Sequence, residues 1–200
     1  MRLAAFRGIR PEDYRLFRFT GAQPGASIAE LSPGHQSGYF DLFMGQIAAA
    51  KALADAAGKT FVVPAIDFLQ GESNANDTEA AYRAALEQLH ADLQTSIQAI
   101  TGQTAPVHLL LYQVGHQGDF PTSGAFLAQL HASNESPFIH CVTPTYHIGR
   151  SEDGTHMTNF QYIRLGHYLG RAFDDLTQGR KPENLRAVSA TVDGLTAYIR

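Results

Sequence analysis

The sequence predicts an α/β domain, a three-layer α/β/α sandwich around a mainly parallel central sheet. Three observations predict it. Short continuous apolar runs, such as Val107-His108-Leu109-Leu110-Leu111-Tyr112 and Phe138 to Thr143, read as strands buried on both faces. Between them lie segments whose apolar residues recur at helical spacing. The two kinds alternate along the chain, the pattern of parallel strands joined by crossover helices.

The elements follow in order. Tyr14 to Thr20 alternates weakly and reads as a first strand, followed by a Gly/Pro-rich loop from Gly21 to Gly38. Phe40, Phe43, Met44, Ile47 and Leu53 then mark a helix that stops at Gly58. Phe61 to Leu69 is an apolar run ending at Gln70-Gly71; Pro64 has no N–H for a ladder, so the strand starts at or after it. Thr78 to Ile100 is the clearest helix, with Asp77 as its cap, the stripe Tyr82, Leu86, Leu89, Leu93, Ile97, Ile100, and Gly102 as its stop. A short helix spans Gly124 to His131. The last one runs from about Asn159 to Leu176 with Tyr162, Leu165, Leu169 and Phe173 inward. Asp193-Gly194 between two alternating runs predicts a C-terminal hairpin. Residues 1–180 then form the α/β domain. Residues 181–200 are a hairpin tail that packs on the sheet or opens a truncated β module.

Composition narrows the function classes. A 200-residue chain with 44% apolar and 17% charged residues is an ordinary globular domain. A net charge of −4 and the lack of any basic run argue against a nucleic-acid partner. No stretch approaches the roughly 20 apolar residues of a membrane span. The single cysteine, Cys141, lies in an apolar run and reads as a buried structural thiol. Met1 to Arg10 is too charged for a secretion signal. That fits a cytoplasmic chain; an N-terminus that begins too late would equally fit an extracellular or virion-associated one. The nine histidines are scattered, with no HExxH and no Cys/His cluster, so no metal is expected. No P-loop or dinucleotide fingerprint occurs.

Two short motifs carry chemistry, and both fall just after strands, where ligands bind in parallel sheets. In Asp153-Gly154-Thr155-His156 a tight turn brings a carboxylate to an imidazole, as a general base held in one tautomer requires. The same residues also read as a plain turn in which His156 helps cap the next helix. In Gln70-Gly71-Glu72-Ser73-Asn74 a strand-end amide and backbone N–H groups suit an oxyanion hole. Glu72 reads either as a ligand for sugar hydroxyls or as an acceptor that locks the loop. An ordinary polar turn is the alternative. Gly25-Ala26-Ser27-Ile28 can present a bare N–H, or is a flexible loop.

Together these motifs resemble the SGNH/GDSL hydrolase superfamily, in particular its sialate O-acetylesterase-like carbohydrate esterases. That branch has a Gly-Gln-Ser-Asn block with the nucleophile, a Gly-Gly-Ser/Thr-x-Ile block, a Gln-Gly-Glu-Ser/Ala-Asp/Asn block and a final Asp-x-x-His. Residues 24–28, 70–74 and 153–156 are similar to the last three, and the likeness runs over roughly residues 15–175. The resemblance implies a flavodoxin-like fold that removes acetyl groups from sugars by a Ser-His-Asp mechanism, with no metal and no cofactor. It assigns the base to His156, its orienting carboxylate to Asp153, and the oxyanion contacts to the Gly25 amide and the Gln70 side chain. The nucleophile block is the departure, since no serine precedes Ser27. Ser37, in Gly34-His35-Gln36-Ser37-Gly38, and Ser27 are poor substitutes, because no apolar strand leads into either. The expectation is therefore an acetylated-carbohydrate esterase, or an incomplete relative that binds glycans or serves a structural role. A lost first strand predicts replacement by residues 2–6, or a poorly stable or homo-oligomeric chain.

Overall fold

The computed structural model describes residues 15–115 and 124–183 and the backbone of 190–193 and 196–199. Four helices, α1 (Tyr39–Ala56), α2 (Glu79–Thr101), α3 (Gly124–Glu135) and α4 (Asn159–Thr177), alternate with three strands, β1 (Ala65–Phe68), β2 (His108–Gln113) and β3 (Ile139–Pro144). The strands form an open parallel sheet in the order β1-β2-β3, with Ile66 opposite Leu109 and Leu109 opposite Ile139. The order advances in one direction, so right-handed crossovers put α2 and α3 on one face. They pack together, with α1 against α2, while α4 packs on β2 and β3. This is the three-layer α/β/α arrangement. β4 (Ala190–Asp193) and β5 (Thr196–Ile199) form the antiparallel hairpin, with Asp193 opposite Thr196.

The core sits where the apolar runs placed it. Leu109, Leu110 and Leu111 of β2 are fully buried, as are Tyr82, Leu86 and Ile97 of α2. Each such aliphatic or aromatic side chain contributes about 1.5–3 kcal/mol by leaving water. β1 begins directly after Pro64, and Cys141 is buried. Among the described residues no helix is long and apolar enough to cross a membrane.

Four expectations are corrected. Residues 15–20 are not a strand. Leu16 and Phe17 are exposed; the segment is held instead by Phe19 against Phe43 and by an Arg18–Asp67 ion pair. Two adjacent apolar residues and two arginines do not make one buried face. Residues 2–6 and Tyr14 lie outside the described residues. Leu53 of α1 points to solvent at 70% exposure, because the helix buries only the Phe40, Met44, Ile47 side. The α2 cap is Thr78, not Asp77: its hydroxyl oxygen accepts from the Ala81 N–H at 3.2 Å. In α4, Tyr162 is exposed and the inner face is Leu165, Leu169 and Ala172.

Candidate active site

The loop after β1 is fixed before anything binds to it. Gly71 has φ 147°, a conformation open to glycine. A Cβ there would stand 3.0 Å from Gln129 Nε2 and 3.2 Å from Val114 Cβ. That close approach lets fully buried Gln129 of α3 donate to the Gln70 carbonyl (2.7 Å) and accept from the Val114 N–H (2.7 Å). The Gln70 side chain is equally engaged. Its Oε1 accepts from the Tyr82 hydroxyl at 2.6 Å, and its Nε2 donates to Asn74 Oδ1 and, at 3.3 Å, to the Ala26 carbonyl.

Those last bonds join the loop to the glycine-bearing segment. Ser73 Oγ donates to the Gly25 carbonyl (2.9 Å), and Asn74 Oδ1 accepts from the Ile28 N–H (2.9 Å). Asn74 Nδ2 donates to Asp77 (2.8 Å). Gly25 is exposed, and its N–H has no partner among the described residues. Asn74 is itself buried. Asn74→Ala strands the Ile28 N–H and one Gln70 amide hydrogen, so a loss of about 2–3 kcal/mol is expected, read from the urea midpoint.

The Ser27 hydroxyl donates to Glu30 (2.8 Å), and its oxygen lies 3.4 Å from the Glu30 N–H, while the Ser27 N–H also reaches that carboxylate. This is the reciprocal Ser-x-x-Glu bonding of a capping box, closing a turn here rather than opening a helix, and it is a local signal. The Ser37 hydroxyl donates to the Glu30 carbonyl at 2.6 Å. The structure brings neither serine into hydrogen bonding with His156.

Glu72 is held through its carboxylate by a side chain of β2. The Tyr112 hydroxyl donates to its carboxylate, 2.7 and 2.6 Å from the two oxygens. Tyr112 follows a register shift between β2 and β3, where one extra β3 residue re-aims the strand. Burial first, and then the Glu72 carboxylate, push the Tyr112 hydroxyl well above its ordinary value of 10; the Arg150 guanidinium opposes them.

Arg150 also reaches the Asp153–His156 turn, donating to the Thr155 carbonyl at 2.9 Å and to Thr145 Oγ1 at 3.1 Å. The two motif loops thus share the carboxyl edge of the sheet. Within the turn, His156 Nδ1 lies 2.7 Å from Asp153 Oδ2, and Asp153 Oδ1 accepts from the Thr155 and His156 N–H groups (2.8 and 2.9 Å). The bonds from the His156 ring and backbone, then those from Ser151 and Thr155, hold the Asp153 carboxyl far below the usual carboxylate range. The His156 side chain is 70% exposed. It does not cap α4; Thr158 does, accepting from the Gln161 N–H. Among the described residues no group of three His, Cys, Asp or Glu is placed to hold a metal ion.

A family described as "Carbohydrate esterase, sialic acid-specific acetylesterase" matches residues 19–175. The chain belongs to that family. The sialic acid-specific acetylesterase match takes in Gly25, Ser27, Ser37, Gln70, Glu72, Asp153 and His156 together. An X-ray structure of a protein from Arabidopsis thaliana is similar at a TM-score of 0.56 and 16% identity, over 76% of this chain and 57% of that one. At that identity the likeness shows the fold, and this chain spans little more than half of that protein's length. No curated protein matches the chain. Three residues outside the motifs, Tyr112, Gln129 and Arg150, and Asn74 at the end of one of them, hold the two motif loops at this edge of the sheet. The first three carry no local signal.

Proposed function

We propose that this protein hydrolyses acetyl esters of carbohydrates, with His156 as the general base and Asp153 as the carboxylate that orients it. The observation that carries this reading is the 2.7 Å contact between His156 Nδ1 and Asp153 Oδ2, with the imidazole open to solvent. A carboxylate that holds a proton on Nδ1 leaves Nε2 as the acceptor. Nε2 takes the proton of a serine hydroxyl as its oxygen attacks the acetyl carbonyl. The tetrahedral adduct collapses, the same proton passes to the departing sugar oxygen, and water then releases acetate from the acyl-serine by the reverse proton path.

The Gly25 N–H faces the developing oxyanion. The Gln70 amide joins it by exchanging its 3.3 Å bond to the Ala26 carbonyl, the longest it makes as a donor. Glu72, already engaged by Tyr112, stabilises the loop rather than the sugar.

The experiment is active-site labelling with a fluorophosphonate, read by peptide mass spectrometry, beside hydrolysis of p-nitrophenyl acetate and an O-acetylated sialic acid. One labelled serine and acetate release are expected, and the labelled peptide identifies the nucleophile. No label and no hydrolysis would leave a glycan-binding or structural relative.

A further inference from the structure

We propose that Arg150 is a positioning residue that fixes the His156 imidazole relative to the sheet edge; this rests on the esterase reading above. Among the described residues, the side-chain bonds of Asp153 and His156 close on the turn, while the neighbouring Met157 is buried in the core. Among the described residues, the hydrogen bonds of the Asp153 and His156 side chains stay within residues 151–156, and the His156 carbonyl accepts from the Ser151 N–H (2.7 Å) and hydroxyl (3.0 Å). Such a turn sets the angle between its own carboxylate and imidazole. It does not set where the pair stands over the strands.

Beside the burial of Met157, Arg150 supplies through its side chain a constraint towards the strand end. Its backbone forms an isolated antiparallel bridge with Met157, and its Nη1 donates to the Thr155 carbonyl at 2.9 Å, so it grips both neighbours of His156. Its Nη2 donates to Thr145 Oγ1 at 3.1 Å. Thr145 is fully buried and is pinned to the end of β2, with its N–H and hydroxyl donating to the Gln113 carbonyl at 3.0 and 3.1 Å. The guanidinium fork therefore spans the turn and the end of the strand. A lysine ammonium, a single point on a flexible stem, does not span two fixed acceptors in this way.

The test compares the wild-type chain with Arg150→Gln and Arg150→Lys. Two readouts are taken: amide hydrogen exchange by NMR, and steady-state hydrolysis of p-nitrophenyl acetate. In Arg150→Gln the Ser151 amide is expected to exchange about tenfold faster or more, while Leu110 in β2 keeps its protection. kcat is expected to fall about 10- to 100-fold with KM within about twofold, since a shift of about 1 Å in the base costs on that order. Arg150→Lys recovers part of both losses, and it replaces the glutamine variant as the decisive protein if the latter loses β2 protection.

Unchanged Ser151 exchange overturns the proposal, whatever the rate does. Faster exchange with unchanged kcat overturns it too. If the wild-type chain shows no hydrolysis, the esterase reading has failed on its own, and Ser151 exchange alone decides whether Arg150 clamps the turn.

Discussion

His156→Ala is expected to lower kcat for acetyl-ester hydrolysis by on the order of 10⁴-fold or more, with little change in folding stability. The exposed imidazole contributes no core packing, so far-UV CD and the urea midpoint should match the wild type. Asp153→Asn is the sharper variant. An asparagine carbonyl can still accept from Nδ1–H, but its NH₂ group offers a donor where the carboxylate offered a second acceptor. The Thr155 and His156 N–H groups and the Ser151 hydroxyl all point at that carboxylate. With only one acceptor oxygen left for four donors, the imidazole loses its fixed tautomer. A loss on the order of 10⁴-fold in kcat is expected, as in other carboxylate–imidazole bases. Because the carboxyl lies far below its usual range, Asp153 is ionised throughout the working pH range. The acid limb of the pH–rate profile therefore does not belong to it. Equal activity of either variant and the wild type would remove this pair from the chemistry.

The pair was legible in the sequence because its geometry is local: three residues and one glycine suffice to close it. The alternation of layers was legible for a similar reason. Leu109 to Leu111 and the Tyr82–Leu86–Leu89–Leu93–Ile97 stripe each state their burial in one window. Residues 15–20 show where a weak pattern fails, since nothing local says that Leu16 and Phe17 stay in solvent. The Ser-x-x-Glu pattern at Ser27 and the Thr78 cap are local signals too, legible from residue type and spacing alone. Tyr112, Gln129 and Arg150 are of another kind. Tyr112 meets Glu72 across 40 positions and Gln129 meets Gln70 across 59. Single side chains carry no periodicity, and only the folded sheet edge brings such partners together. Arg150 lies near its contacts in sequence, yet its importance depends on Thr145 being locked to β2.

Acidification is expected to destabilise the fold from the opposite end of the sheet. His108 opens β2 and His140 stands second in β3, at the amino ends of these parallel strands, opposite the edge that carries the motif loops. Their rings are stacked, with His108 Nδ1 2.9 Å from His140 Nε2. One ring must donate and the other accept, so two imidazolium rings cannot keep this bond. His140 is 2% exposed and its Nδ1 has no partner. Burial first, then His108, Lys181 and His90, lower its pKa from the ordinary 6.5 to about 4. The folded state thus resists a proton that the unfolded chain accepts. The stability that this histidine supports is complete above pH 6.5, falls as the pH drops from 6.5 towards 4, and levels off below. The loss is about 3 kcal/mol. Urea midpoints at pH 7.5, 5 and 4 should show this fall in the wild type and a much shallower one in His140→Leu, which removes both the proton site and the unpartnered nitrogen. The same pH dependence in both proteins would exclude the pair as its source.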